Sequence, residues 1–309
     1  MSSSTLASDT AEPRAVDVAG AAWPDRRRGA LRDFWRVFRR HRSALISLYL
    51  LVGLTVTTPA VVLLFAIDRE AISIDVLTAP SRSHAMGTDY LGRDVLGRVL
   101  HGINTSLVVG GAVALIGASI GIVLGSLAGY YGRWLDPIIM RVADALLIVP
   151  TFFLILSVAF IFGGRLVTVI VLLGITSWPQ IARIVRAEVL TLREEAFVVS
   201  ARALGVGDAK IMFREILPNA LPPVIALVAL LASAGILTEA SLSFLGVGDP
   251  NVVSLGQMLT SGLEYATSAW WVPTFPGAAI FILVLLLNAL ADGLNVALNP
   301  RLRTILKGG

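Results

Sequence analysis

The sequence predicts an all-α integral membrane protein with six transmembrane helices. The chain has 309 residues, of which 56% are hydrophobic and only 15% charged, and its mean hydropathy is +0.80. Uncharged stretches of about 18 or more residues can cross the hydrocarbon of a bilayer as helices. These stretches lack the polar face that a soluble bundle needs and the short alternating segments of a β-barrel. The six predicted spans are Ala44–Ile67, Ile103–Gly129, Pro137–Phe162, Leu166–Ala182, Ile216–Thr238 and Tyr265–Ala291.

The N-terminal region predicts a tail and a surface helix. Residues 1–25 are polar and are expected to be a disordered cytoplasmic tail with no cleavable signal, so that the first span is an uncleaved anchor. Residues 26–43 form the pattern of an amphipathic helix in the membrane interface, with arginines facing the lipid headgroups. Its apolar residues recur at i, i+3, i+4 and i+7, namely Leu31, Phe34, Trp35 and Phe38. The alternative is a topology signal with incidental aromatic residues.

The distribution of basic residues predicts the orientation. Twenty of the 25 Lys and Arg residues lie in the tail before residue 44, in every second loop, or in the C-terminal tail 300–309. The positive-inside rule therefore places both termini and the loop 183–218 in the cytoplasm. The loops 68–102 and 246–270 then lie outside, in a six-span domain over 44–299. A nucleic-acid-binding tail is the rival interpretation, but the adjacent span argues against it, so no nucleic acid is expected.

Four glycines of the second span share one helical face. Gly117, Gly121, Gly125 and Gly129 stand at successive i+4 positions. Small residues at such spacing let helix backbones approach closely in lipid, where no hydrophobic force drives association. We therefore predict that this face packs against another helix, of this chain or of a partner.

Ionisable residues near the ends of the spans are interpreted as structural or gating residues. Asp144 follows Arg141 by three residues, which allows an i,i+3 ion pair, and Glu239 lies toward the outer end of the fifth span. A proton relay would need carboxylates at mid-membrane. Pro150 and Pro179 are expected to kink their helices.

The cytoplasmic loop 183–218 predicts two short helices around a glycine turn. Gly205 suits the left-handed residue that ends the first helix, and Asp208 suits the N-cap of the second. An apolar surface too small for a separate domain core remains, formed by Ala201, Leu204, Met212 and Phe213. Such an element is expected to dock on another protein; the alternative is a solvated connector.

The loop and several other stretches resemble permease subunits of ATP-binding-cassette (ABC) importers of the DppC/OppC dipeptide and oligopeptide type. In these permeases a short EAA sequence precedes a glycine, with a proline thirteen residues after it. Here Val199-Ser200-Ala201 takes the place of the EAA sequence, and Gly205 and Pro218 keep the spacing. The other stretches are GTDYLGRDVLGR (87–98), LAGYYGRWLDPIIMRVADALL (127–147), SARALGVGDAKIMFREILPNALPP (200–223), ILTEASLSFLGVG (236–248) and ALNPRLR (297–303).

The resemblance implies the type I importer permease fold in a bacterial cell membrane. It implies as partners a second related permease subunit, two ATP-binding subunits and an extracytoplasmic substrate-binding protein. It also implies that a coupling helix enters a groove on one ATPase, with the residues Ser200, Ala201, Arg202, Ala203, Leu204, Gly205, Val206, Gly207, Asp208, Ala209 and Lys210. Neither lysine of the chain follows a glycine, so no GxxxxGK[ST] phosphate loop exists. We expect ATP and Mg to bind the partners, with no enzyme activity, cofactor or metal site in this chain.

The expected cargo is a di- or oligopeptide. The same type of permease also handles nickel complexes, oligosaccharides and haem-like ligands, and these remain alternatives. The stretch 246–271 departs from the family pattern, so any contact with the binding protein there does not follow from the resemblance. A secondary transporter would need mid-membrane ionisable sites or inverted repeats. An intramembrane enzyme would need convergent catalytic side chains, and His41, His84 and His101 all lie outside the spans.

Overall fold

The computed structural model describes residues 34–64 and 72–298, and within them the chain is built from helices. A short helical segment covers residues 34–40. The helices that follow are α1 (Arg42–Leu64), α2 (Val95–Tyr131), α3 (Leu135–Ile148), α4 (Thr151–Phe162), α5 (Leu166–Leu192), α6 (Ala196–Ala203), α7 (Asp208–Phe244), α8 (Leu255–Leu263) and α9 (Trp271–Leu298).

Five of these helices qualify as membrane spans by themselves, and two shorter ones qualify only as a bent pair. Helices α1, α2, α5, α7 and α9 are each long and apolar enough to cross a membrane, whereas α3 and α4 qualify only together and are bent by 79° at their junction. The break lies at Pro150, which has no N–H to donate and holds the preceding Val149 in an extended conformation. Helix α5, by contrast, stays helical through Pro179.

Two large apolar clusters each join several helices. One cluster lies next to α8, where the ends of α2, α7 and α9 meet. It includes Leu255, Trp271 and Leu283. The other joins α2, α5, α6 and α7 at the opposite end and includes Val185 and Val198. The second cluster fixes the short α6 to three long helices, and this attachment positions the site described below.

The predicted interfacial helix packs partly on the protein. Phe38 is only 1% exposed and lies against Ala44 and Ala297, where α1 meets the end of α9. Trp35 is 39% exposed and stacks on Phe38. Phe38 therefore packs on the protein, and the interfacial placement of the helix stays a prediction. The predictions for 1–25, for 26–33, for the end of the first span and for the tail 300–309 fall outside the described residues.

The loop before α2 is anchored at several points. Asp94 caps α2 by accepting a hydrogen bond from the backbone N–H of Gly97 at 2.9 Å. The indole N–H of Trp271, at the start of α9, donates to the carbonyl of Thr88 at 3.1 Å. Gly87 has φ +75°, and a side chain there would meet Trp271 and the carbonyl of Thr78. The loop is thus an ordered surface over the α2 and α9 ends.

The loop that contains α8 also caps a span. The Asp249 carboxylate accepts a hydrogen bond from the backbone N–H of Leu166, the first residue of α5, at 3.2 Å. The hydrogen bond from the backbone N–H of Asn251 to this carboxylate is the main cause of the lowered pKa of Asp249. Gly256 brings α8 against α7, since a Cβ there would lie 2.1 Å from the carbonyl oxygen of Ala240.

Candidate coupling surface

The tip of the loop between α5 and α7 is a left-handed glycine turn. Helix α6 ends at Ala203, and Gly205 has φ +75°. The backbone N–H of Gly205 donates to the carbonyl of Arg202 at 2.9 Å, and that of Val206 donates to the carbonyl of Ala201 at 3.1 Å. These two bonds are the Schellman pattern, which satisfies the last carbonyls of the helix. The turn therefore has a defined shape that depends on glycine.

Asp208 has a different role from the predicted one. The N-cap of α7 is Gly207, with extended backbone, and Asp208 is the first helical residue without a side-chain capping bond. Its carboxylate instead accepts a hydrogen bond of 2.6 Å from the hydroxyl of Tyr130, near the end of α2. The guanidinium of Arg202 lies 5.7 Å from the centre of the same Tyr130 ring. The Asp208–Tyr130 hydrogen bond therefore connects the tip to α2, and Asp208 does not cap α7.

The inner face of the loop is buried against the spans. Val198 of α6 and Ile211 and Ile216 of α7 are fully buried, next to Val185 of α5. Met212 is 2% exposed and lies in the same cluster, so the prediction that it belongs to an exposed apolar surface is wrong. Residues 211–216 are π-helical, an irregularity that is frequent at functional sites.

The outer face is exposed and carries apolar and basic side chains. Of residues 200–210, Ala201 and Val206 are half-buried and the others are exposed. Leu204 is 83% and Phe213 59% exposed. An apolar side chain so exposed beside a rigid turn is typical of a surface that another protein covers. The outer face of the tip thus combines exposed apolar side chains with the exposed Lys210.

Ion pairs connect α5, which leads into the tip, with α3. Arg186 binds Asp136 through two parallel hydrogen bonds, one of them 2.6 Å long. Arg183 forms a second pair, with Asp144. The predicted pair of Asp144 with Arg141 is therefore replaced, because the neighbouring α5 presents Arg183 to the same carboxylate. Bidentate arginine–carboxylate pairs add geometric specificity. A movement of the tip through α5 would thus be carried to α3 and its bend.

The four aligned glycines lie against α5. A Cβ at Gly121 would lie 2.7 Å from the Cβ of Ile181, and one at Gly125 would lie 2.5 Å from the carbonyl oxygen of Ala182. Gly129 faces the carbonyl of Arg186, and Gly117 lies next to α5 and α7. The partner of this face is therefore a helix of the same chain. Close contact of the two backbones makes α2 and α5 one unit that carries the tip.

Glu239 is buried where α7 meets α8. It is 2% exposed, and its Oε1 accepts a hydrogen bond from the Ser243 hydroxyl at 2.7 Å. Its Oε2 is buried without a hydrogen-bond partner among the described residues. The residue lies at the end of α7 far from the tip, so it takes no part in the coupling surface.

Four residues of the site were not predicted from the sequence. The polar contacts between the tip, α2, α3 and α5 involve Tyr130, Asp136, Arg183 and Arg186. Asp136 and Arg186 could have been found as charges within otherwise apolar helices, since such charges need a partner. Nothing in the local sequence of Tyr130 points to Asp208, which is 78 positions away.

Comparisons with known protein families match two stretches of the chain. Residues 121–304 match the family described as binding-protein-dependent transport system inner membrane component. Residues 29–75 match the N-terminal transmembrane domain of oligopeptide transport permease C.

Three curated relatives illustrate the similarity. A putative peptide transport system permease protein of Brucella abortus is 40% identical, over 87% of this chain and 91% of the relative. The glutathione transport system permease protein GsiD of Pectobacterium atrosepticum is 38% identical, over 88% and 92%. The dipeptide transport system permease protein DppC of Alkalihalophilus pseudofirmus is 35% identical, over 88% and 90%.

Proposed function

The chain belongs to the binding-protein-dependent transport system inner membrane components, and we propose that it is one permease subunit of an ATP-driven importer of di- and oligopeptides. The observation that carries the proposal is the rigid, exposed tip at 200–210, which is fixed to the membrane helices and has the spacing of the family's coupling motif. The peptide cargo is supported by relatives that are named for peptide, dipeptide and glutathione transport. Glutathione is itself a tripeptide.

The proposed complex contains four other subunits. A second permease completes the path, two ATP-binding subunits bind ATP and Mg, and an extracytoplasmic binding protein delivers the peptide. ATP binding closes the ATPase pair, and the tip transmits this movement to α5 and, through the Arg186–Asp136 pair, to α3. The differential affinity of the ATPases for the two states of the permease is the source of the conformational change.

The cargo is tested with the complete complex in proteoliposomes. We expect ATP-dependent accumulation of labelled di- and tripeptides when the loaded binding protein is present, and none without ATP. A nickel complex, an oligosaccharide and haem serve as competing cargoes. Uptake of one of these in preference to peptides would contradict the peptide assignment but not the importer.

The proposed orientation places both termini and the tip in the cytoplasm. The chain has no cysteine, so single cysteines can be labelled selectively. Ser81 and Ala203 are both exposed. In intact spheroplasts, a membrane-impermeant maleimide is expected to label Ser81→Cys at once and Ala203→Cys only after the membrane is opened. Rapid labelling of Ala203→Cys from outside would reverse the orientation.

A further inference from the structure

A cavity of about 190 Å³ lies beside the break between α3 and α4. Helices α5 and α7 form its other walls. Gln180 of α5 lies in this wall, about 21 Å along the helix from Leu166 at a rise of 1.5 Å per residue. The cavity is therefore at membrane depth. It is smaller than the pockets of about 300–1,000 Å³ that enclose a whole ligand, so it suits a segment of one.

The wall of the cavity mixes polar and apolar side chains and carries no charge among the described residues. Its polar side chains are Thr151, Thr176, Ser177, Gln180 and Thr238. Hydroxyl and amide groups at membrane depth are costly unless they face protein, water or a ligand. The Gln180 side chain is exposed and has no hydrogen-bond partner among the described residues. Gln180 lies inside the predicted span, three residues before Arg183, and its amide faces the cavity rather than another side chain of the described chain.

The broken helix adds non-helical backbone at the same place. Leu147 and Thr151, on either side of the 79° bend, both line the cavity. Irregular backbone at membrane depth is tolerated where it is buried in protein or lines a water-filled cavity. The break in the helix therefore faces the cavity.

The hydroxyl groups in the wall are acceptors for a ligand. Thr176 donates its proton to the carbonyl of Leu172 at 2.8 Å, and Thr238 donates to that of Ala234 at 2.8 Å. Ser177 likewise donates to a carbonyl one turn earlier. A hydroxyl oxygen whose proton is committed can still accept a bond. The Gln180 amide supplies both donors and an acceptor. The wall thus offers several acceptors and one amide, with no carboxylate to hold an ammonium group.

We propose that this cavity is a cargo subsite of the translocation path, and that it takes a neutral peptide group. The ligand N–H is accepted by the oxygens of Thr176 and Thr238, and the ligand carbonyl is bound by the Gln180 amide. The proposal rests on the proposed function of peptide import. A site that binds the backbone and has no charges would accept different peptides with little regard for their side chains.

The test compares uptake with ATP hydrolysis in proteoliposomes that contain the whole complex. Thr176→Val removes the acceptor oxygen at nearly constant volume, and Gln180→Leu removes the amide. Each is expected to lower peptide uptake about threefold to tenfold at saturating loaded binding protein, as loss of a hydrogen bond implies. Stimulated ATP hydrolysis should stay within about twofold of wild type. Thr57→Val is the control, because its hydroxyl also bonds a carbonyl one turn earlier but lies exposed on α1.

A peptide with one N-methylated amide lacks one N–H that the hydroxyl oxygens could accept. Its uptake therefore shows whether a variant has lost contact with the cargo or has only a disturbed structure. Wild type should transport it more slowly than the parent peptide, and this difference should shrink in Thr176→Val. Normal uptake by both variants, or failure of Thr176→Val to assemble, would overturn the subsite. Absence of any peptide uptake by the wild-type complex would instead refute the proposed function.

Discussion

Replacing Gly205 by arginine is expected to abolish peptide uptake and the stimulation of ATP hydrolysis by the loaded binding protein. Gly205 has φ +75°, a conformation that costs a side-chain-bearing residue about 1–2 kcal/mol. No atom of the described chain lies within 4 Å of a Cβ there. The arginine would therefore leave the spans intact and would place a long charged side chain on the surface that we propose to dock on the ATPase.

Two milder substitutions serve as controls for the arginine variant. Gly207 has φ −65° and equally open surroundings, so Gly207→Ala adds only a methyl group to the tip and should lower the coupling far less than Gly205→Arg. Gly205→Asn keeps a residue that tolerates the left-handed conformation and should retain most of the coupling. Stimulated ATP hydrolysis at the wild-type rate by Gly205→Arg would show that the tip does not carry the signal.

Leucine at Gly125 is expected to prevent the chain from forming a stable permease. A Cβ at this position would lie 2.5 Å from the carbonyl oxygen of Ala182 and 2.8 Å from the Cβ of Val185. One of these contacts is with backbone, so no side-chain rotation relieves it and the two helices must separate. Overpacking in a well-packed interior costs about 1–3 kcal/mol, and a forced separation of backbones costs more. The measurement is the yield and thermal stability of the purified subunit in detergent.

Gly111→Leu is the matched control on the same helix. A Cβ at Gly111 meets no atom within 4 Å, so the same change in volume should leave yield and stability close to wild type. Equal stability of Gly125→Leu and Gly111→Leu would mean that the glycine face is not a packing interface.

The helices were predictable from the sequence because each span crosses the bilayer alone. The length of an apolar stretch identifies a span without knowledge of the helices around it. The turn at Gly205 was likewise predictable, because it depends only on the local backbone. Pro150 indicated a kink, but its size of 79° depends on how α3 and α4 pack on α5. The sequence therefore located the bend without giving its geometry.

The polar contacts of the site depend on tertiary approach and were not predictable in the same way. Asp208 has the composition of an N-cap, yet Tyr130 approaches from α2 and takes its carboxylate. Asp144 has an arginine three residues earlier, yet Arg183 from α5 forms the pair. The position of Met212 in the sequence is compatible with either the outer or the inner face of the helix, and in the structure Met212 lies on the inner face. In each case a residue far along the chain decides between two locally equivalent outcomes.

Docking of the tip on an ATP-binding subunit can be detected by cross-linking from Leu204. Leu204→Cys would be the single cysteine of this chain, on a side chain that is 83% exposed. A short cysteine-linked photocrosslinker is attached in membranes that contain the whole complex, with Ser81→Cys as the control. We expect an adduct of the Leu204→Cys chain with an ATP-binding subunit and none from Ser81→Cys. An active complex in which Leu204→Cys gives no such adduct, or attaches to the binding protein, would contradict the claim.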